Sequence, residues 1–205
     1  MAGDKPKIVV IGNVYVDMAI RCVDFPATGQ IAAGSGFSYT AAGAGSNQAI
    51  QAALCGCEVY LVGKVGKDIF GQMIKDNLAD FGVNCEFVFE AEAKNTGVSV
   101  SFVNSSGANK TIISEGTNRA LQNSDIEGER FEKLLKSADV CLINGGLSVD
   151  FVCGAIRAGK LSRTKVILDP AIPSEQLQRR SDILPMDYYT ADILVPNFAE
   201  AAELS

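Results

Sequence analysis

Short apolar runs typical of buried strands alternate with helical segments along most of this 205-residue chain. Most of these runs end at a cluster of Gly, Asn, Asp or Pro, after which a helical pattern begins. The runs are Ile8–Ile11, Val59–Val62, Val140–Ile143, Val166–Leu168 and Ile193–Val195. Strands that alternate with helices are the signature of a parallel sheet with right-handed crossovers. We therefore predict an α/β fold built as a three-layer, doubly wound parallel sheet.

The helices are predicted from their spacing and their caps. Asn47–Cys55 and Val149–Gly159 follow strand-like or glycine-rich segments and place apolar residues on one face. Asp68 is placed to cap another helix, which Gly82 ends. The inner face of that helix is expected to contain Phe70, Met73, Ile74, Leu78 and Phe81. A last helix is expected to begin after Pro196-Asn197.

Two stretches interrupt the alternation and predict a small antiparallel β layer inserted into the core. Apolar and polar residues alternate from Val14 to Val23, which indicates a half-buried strand, and Phe37 and Tyr39 suggest a return strand. Further along, Thr96–Val103 and Thr111–Ser114 flank a turn-forming segment and form a second hairpin pattern.

Composition excludes several classes of function. The net charge is −6 without a basic stripe, so nucleic acid is not an expected partner. No apolar run approaches the ~18 residues of a membrane helix, and the N-terminus lacks the apolar core of a signal peptide. Six cysteines in such a chain indicate reduced thiols and a cytoplasmic location. The absence of histidine excludes Ser-His-Asp and Cys-His catalysis within this chain.

Small polar residues follow the predicted strands and point to a ligand site at one edge of the sheet. They are Gly12-Asn13, Gly63–Gly66, Asn144–Gly146, Asp169–Ala171 and Pro196-Asn197. In open parallel sheets, ligands bind outside the carboxyl ends of the strands. Loops use such residues in any case, so a single cluster would carry little weight. Five in register with the strands favour a site.

Three further features have both a functional and a structural interpretation. Gly43 and Gly45 open a helix and would let a ligand approach its N-terminus, although the segment matches neither a dinucleotide-binding fingerprint nor a P-loop. Asp17 could accept two hydroxyls of a polyol, or lie on a solvated strand face. Asn197 and Glu200 have the spacing of a capping box.

Taken in order, these segments resemble the ribokinase-like, or PfkB-type, carbohydrate kinases over essentially the whole chain. The matching segments are Gly12–Asp17, Ala42–Ala49, Val62–Asp68 with Phe70-Gly71 and Phe81–Val83, Asn95–Val98, Gly116–Leu121, Asp169–Ala171 and Pro196–Glu200. The resemblance implies an α/β core over residues 1–13, 41–94 and 116–205. It implies a β lid over residues 14–40 and 95–115, which in many relatives is also the dimer contact.

The resemblance implies ATP-dependent phosphorylation of a primary hydroxyl on a monosaccharide, ribose-like or fructose-like, by a homodimer that pairs through the lid. The implied substrate-binding residues are Asn13, Tyr15, Asp17, Gly43, Ala44, Gly45, Asn47 and Asn118. Asn197 and Glu200 would belong to the network at the ATP phosphates, with Glu200 holding Mg²⁺ through water. Whether a monovalent cation also takes part is left open.

Several positions depart from the pattern of the family. Ala42 and Ala44 stand where ribokinases carry Gly and Lys, and Tyr15 stands where they carry a sugar-binding Asn. Gly145-Gly146 falls where they place a sugar-binding Glu. The signature Asp-Thr-x-Gly-Ala-Gly-Asp, whose last Asp is the catalytic base, is absent. We therefore expect an N-terminal portion of a kinase that has no catalytic residue of its own and is inactive alone.

Three alternatives remain open at this point. The chain could be a non-catalytic module that binds sugar or dimerises, or part of a nucleoside kinase of the same family. A nucleotide-dependent oxidoreductase on a Rossmann fold is the third, and the missing third glycine and the early polar strand argue against it.

Overall fold

The computed structural model describes residues 5–171 and 185–204, and its centre is a six-stranded parallel sheet. The strands are β1 (Lys7–Ile11), β4 (Glu58–Gly66), β5 (Asn84–Ala91), β8 (Val140–Asn144), β9 (Lys165–Asp169) and β10 (Ile193–Leu194). They lie in the order β10-β9-β8-β1-β4-β5, with β1 near the centre. The predicted α/β fold with a doubly wound parallel sheet is confirmed.

Helices cover both faces of this sheet. They are α1 (Ala44–Leu54), α2 (Ile69–Asp80), α3 (Glu129–Ser137), α4 (Val149–Leu161) and α5 (Phe198–Leu204), with 3₁₀ turns at Gly116–Ala120, Asn123–Ile126 and Met186–Thr190. Strand β1 shows why two layers form, because successive side chains point to opposite faces of a strand. Val9 and Ile11 are buried against α3 and α4, whereas Val10 is buried with residues of α1 and α2. The sheet therefore has one hydrophobic core on each face, and the two helix layers with the sheet between them make three layers.

A second, four-stranded sheet is built from the two inserted segments. Its strands are β2 (Tyr15–Cys22), β3 (Gly34–Ala42), β6 (Val98–Val103) and β7 (Asn109–Ser114), in the order β3-β2-β6-β7. The hairpins β2–β3 and β6–β7 are antiparallel as predicted, but the central pair β2–β6 is parallel. Because the chain passes through the core between β3 and β6, it enters the small sheet twice from the same end.

The start of α2 confirms the predicted cap and joins it to the second inserted segment. Asp68 Oδ1 accepts hydrogen bonds from the backbone N–H of Gly71 and from the hydroxyl of Thr96, and Asp68 Oδ2 accepts one from the N–H of Thr96. Burial opposes ionisation of Asp68, but these hydrogen bonds outweigh it and lower the pKa of its carboxyl. The charged form therefore ties β6 to the core.

Other boundaries differ from the prediction. α1 begins at Ala44, three residues before the predicted start, because Gly43 adopts a positive φ of 104° and turns the chain directly into the helix. Phe81 lies after the end of α2 and is 42% exposed, so it is not part of the inner face. β5 and α3 were not predicted. Among the described residues, no helix combines the length and the hydropathy needed to cross a bilayer.

Candidate functional site

Polar side chains meet where β1, β8 and β9 end, as the pattern of the sequence predicts. Asp169 Oδ2 accepts hydrogen bonds from Asn144 Nδ2 at 3.1 Å and from Gln48 Nε2 at 2.9 Å. Asn144 is almost completely buried. The ends of two neighbouring strands and the first turns of α1 are thus joined by one carboxylate.

The glycine-rich segment places the N-terminus of α1 directly on the end of β1. A Cβ at Gly45 would lie 2.6 Å from the carbonyl carbon of Gly12, and one at Gly43 would lie 2.7 Å from the carbonyl oxygen of Asn13. Only glycine allows this approach. Because the chain passes this close, Asn13 accepts two hydrogen bonds from the start of α1: its side-chain oxygen accepts from the N–H of Ala44, and its carbonyl oxygen accepts from the N–H of Gly45. Asn47, one turn further, is exposed.

These contacts orient the amide of Asn13. Its Oδ1 accepts a hydrogen bond of 2.9 Å from the N–H of Ala44, so its Nδ2 points toward Gly146. A Cβ on Gly146 would lie only 2.6 Å from that Nδ2. That nitrogen has no hydrogen-bond partner among the described residues, although only 9% of Asn13 is exposed. The edge of the sheet therefore presents one free, preoriented amide donor.

Asp17 lies on the polar face of the small sheet. It is exposed, and its carboxylate has no hydrogen-bond or ion-pair partner among the described residues. In register it faces Thr40 on one side and Ser99 on the other. Val16, the preceding residue, points to the opposite face and is buried with the core of α1 and α2. Asp17 is therefore directed away from that contact.

Tyr15 shares a face of β2 with Asp17 but is buried. Its hydroxyl donates a hydrogen bond of 2.6 Å to Glu115 Oε2, just beyond the end of β7. Burial and this partner raise the pKa of Tyr15 far above its ordinary value, so the phenol stays protonated. Sequence reasoning missed Glu115, and its only signal was its position next to the matching segment Gly116–Leu121.

Asn118, also predicted to bind substrate, uses its amide for the protein backbone. Its Oδ1 accepts the N–H of Val14 at 2.9 Å, and its Nδ2 donates to the carbonyl oxygens of Val14 at 2.8 Å and Glu115 at 3.1 Å. Only 1% of the residue is exposed. The structure thus gives Asn118 a role in holding the chain where β1 passes into β2.

Asn197 and Glu200 form the capping box that their spacing predicts. Glu200 Oε2 accepts the N–H of Asn197, and Asn197 Oδ1 accepts the N–H of Glu200, each at 2.9 Å. Both residues line a cavity of about 340 Å³ together with Gln48 and Asp169. The capping box therefore also places Glu200 next to the polar group at the edge of the sheet.

Comparison with known proteins identifies the family of the chain. Residues 5–205 match the family model described as "pfkB family carbohydrate kinase". The chain belongs to the PfkB family of carbohydrate kinases. It is 31% identical over 194 residues to the deoxyribokinase of Salmonella typhi, and 28% identical over 202 residues to the ribokinase of Mus musculus. Those matches cover 94% and 98% of this chain and 60% of each relative.

Solved structures show the same fold. The structure of Arabidopsis thaliana ribokinase complexed with ribose and ATP aligns with a TM-score of 0.86 at 26% identity, over 98% of this chain and 63% of that one. A ribokinase from Giardia lamblia aligns with a TM-score of 0.83 at 30% identity, over 98% of this chain and 64% of that one. The chain thus spans about 60% of the length of the curated relatives it matches.

Proposed function

We propose that this chain forms the sugar-binding part of an ATP-dependent kinase that phosphorylates a primary hydroxyl of a ribose-like or fructose-like monosaccharide. The unpaired carboxylate of Asp17 is the observation that carries the proposal. A charged acceptor without a protein partner, two residues from the buried Tyr15, is suited to receive hydroxyl hydrogens of a polyol. The family match over residues 5–205 supports phosphoryl transfer as the reaction.

The remaining groups of the sugar site follow from the contacts above. We propose that the free Nδ2 of Asn13 donates to a sugar oxygen, while Gly43–Gly45 lets the sugar approach the backbone of α1. Asn47, exposed on α1, would add a second amide. The small sheet would act as the lid that excludes water, which phosphoryl transfer requires. Asn118 would act as a positioning residue, through the backbone of Val14.

The cavity beside Glu200 fits the phosphate end of ATP with Mg²⁺. Asp169 and Glu200 bring carboxylate oxygens to it, and Gln48 adds a buried Oε1 that has no hydrogen-bond partner within the described residues. Oxygen ligands of this kind suit Mg²⁺, which keeps several of its waters. Because Oε2 of Glu200 already caps α5, we propose that Glu200 holds the ion through water. When bound, Mg²⁺ neutralises the charge of the phosphates.

The family signature that supplies the catalytic Asp does not occur in the sequence. We therefore propose that residues 1–205 bind sugar without transferring phosphate, and that transfer requires a protein that also contains the signature. The non-catalytic module remains the competing interpretation. The six free cysteines agree with the cytoplasmic location that belongs to the same proposal.

Replacing Asp17 by asparagine tests the sugar site. We expect the Kd for the sugar to rise about tenfold to a hundredfold, because a sugar hydroxyl binds a charged carboxylate more strongly than a neutral amide oxygen, and the difference in free energy corresponds to a change in Kd of this size. Isothermal titration of the wild-type chain with D-ribose, D-fructose and a nucleoside identifies the ligand, and the same titration of the variant measures the change. Asp24→Asn is the matched control, since Asp24 is exposed beyond the end of β2. Equal affinity in wild type and Asp17→Asn would refute the site.

The apolar side of the lid supports the predicted homodimer. Tyr39 and Ile112 point to the same face of the small sheet as Met18, and they are 57% and 69% exposed. We propose that a second copy covers them. Ile112→Asp is then expected to shift the chain to the monomer in sedimentation velocity, whereas Leu161→Asp, an exposed site at the end of α4, should leave the dimer intact. A wild-type chain that sediments as a monomer would contradict this assembly.

A further inference from the structure

The two inserted segments are linked to each other where they leave the core. Tyr15 is the first residue of β2, and Glu115 follows the last residue of β7, a separation of 100 residues along the chain. Their side chains meet in a hydrogen bond of 2.6 Å. Within the described residues, this is the only hydrogen bond that the Glu115 carboxylate makes. The start of the lid and its end are therefore joined by one bond.

The backbone around this bond is closely packed. A Cβ on Gly97 would lie 2.8 Å from the ring of Tyr15, 2.6 Å from the amide nitrogen of Asn118 and 2.9 Å from the carbonyl oxygen of Glu115. The phenol ring thus rests on the bare backbone of the second segment as it enters the lid. Three of the four chain crossings between core and lid contact one another at this point.

Asn118 fixes both ends of the pair. The same amide holds the N–H and C=O of Val14, next to Tyr15, and the carbonyl oxygen of Glu115. Asn118 therefore brings the backbones that carry the phenol and the carboxylate together, and the side-chain bond between Tyr15 and Glu115 is a second connection between them. Tyr15 is buried but belongs to neither core cluster, and its hydroxyl bond to Glu115 is part-buried.

We propose that Tyr15 and Glu115 form a latch at the base of the lid, and that Glu115 is a positioning residue for the sugar site. The latch holds the first residues of β2, and Asp17 lies two residues beyond Tyr15 on the same face of that strand. This role rests on the proposed sugar site. A closed latch presents the Asp17 carboxylate in one position, so the sugar does not have to order it on binding.

Three variants separate the hydrogen bond from the charge of Glu115. Tyr15→Phe and Glu115→Ala remove the bond, whereas Glu115→Gln removes the charge and retains an oxygen that accepts from the phenol. We expect the Kd for the sugar bound by the wild type, D-ribose or D-fructose, to rise about tenfold in the first two and to stay within about threefold in Glu115→Gln. The double variant Tyr15→Phe/Glu115→Ala should be no worse than either single variant. Tyr189→Phe, an exposed tyrosine outside the lid, is the matched control.

Amide hydrogen exchange without sugar tests the latch separately. The amides at the start of β2 should exchange about tenfold faster in Tyr15→Phe and Glu115→Ala than in wild type and Glu115→Gln. If the wild type binds sugar but all variants bind equally, or if the two single losses add in the double variant, the latch is wrong and the sugar site stands. If the wild type binds neither sugar, the proposed function fails, and the positioning role of Glu115 fails with it.

Discussion

Replacing Asn118 by alanine is expected to lower the free energy of unfolding by about 3 kcal/mol, because it leaves buried backbone groups without partners. Val14 is completely buried, and both its N–H and its C=O are paired with the Asn118 amide. Each buried polar group left unsatisfied costs roughly 1–3 kcal/mol. Urea unfolding followed by circular dichroism measures the loss.

Two further variants make the prediction specific. Asn118→Asp retains an acceptor for the Val14 N–H but cannot donate when ionised, so it should lie between wild type and alanine. Asn123→Ala is the matched control in the same stretch of chain. Its Oδ1 has no partner among the described residues, and its Nδ2 makes one long bond of 3.4 Å. If Asn118→Ala lowers the free energy of unfolding no more than Asn123→Ala does, the Asn118 bonds to Val14 are not stabilising.

Asn118 also shows what a motif in a sequence leaves undetermined. The resemblance assigns this residue to the substrate, yet in the structure its oxygen and its nitrogen bond the backbone of Val14. An amide is equally able to bind a sugar or a peptide group, and the choice depends on a contact 104 residues away. No local pattern contains that contact. The same is true of Glu115, whose partner Tyr15 is 100 residues distant.

The core of the fold was predictable because its signals are local. Buried strands such as Val140–Asn144 are short aliphatic runs, and the cap of Asp68 and the capping box of Asn197 depend on neighbours within three residues. The amphipathic helix α3 and the strand β5 were missed. β5 alternates only partly, since the adjacent residues Phe87 and Val88 are both buried, each in a different core cluster. Both faces of β5 are buried, because helices cover both sides of the sheet, whereas a strand with one buried face would alternate apolar and polar residues.

The parallel pairing of β2 with β6 could not be deduced in the same way. Each hairpin is defined by its own turn, but the order in which two hairpins join is set by the path of the chain through the core. Asp68, by binding Thr96, fixes the point where the second hairpin enters. Asp17 was correctly assigned to a polar strand face, because alternation along one strand is enough to establish that.

Lys64 supports the segment that carries Asn118, and we expect its replacement by methionine to be as damaging as the loss of Asn118. Lys64 Nζ contacts both carboxylate oxygens of Asp125, at 2.9 and 2.8 Å, and the carbonyl oxygen of Ala120 at 3.2 Å. The two side chains are only 14% and 18% exposed. Removing one member of a buried ion pair typically costs about 3–5 kcal/mol, because the remaining charge is left without compensation.

The double variant Lys64→Met/Asp125→Leu should recover most of the loss in Lys64→Met, since a buried pair replaced by apolar side chains is often close to neutral. Lys67→Met is the matched control: Lys67 pairs with Glu92, but the two side chains are 65% and 82% exposed, so its removal should cost less than about 1 kcal/mol. Urea midpoints of the four proteins give the comparison. If Lys64→Met unfolds at the same midpoint as Lys67→Met, the pair contributes no more than a surface contact. The segment would then be held by its other contacts, such as those of Asn118 and the hydroxyl bond from Thr117 to the Lys64 carbonyl oxygen.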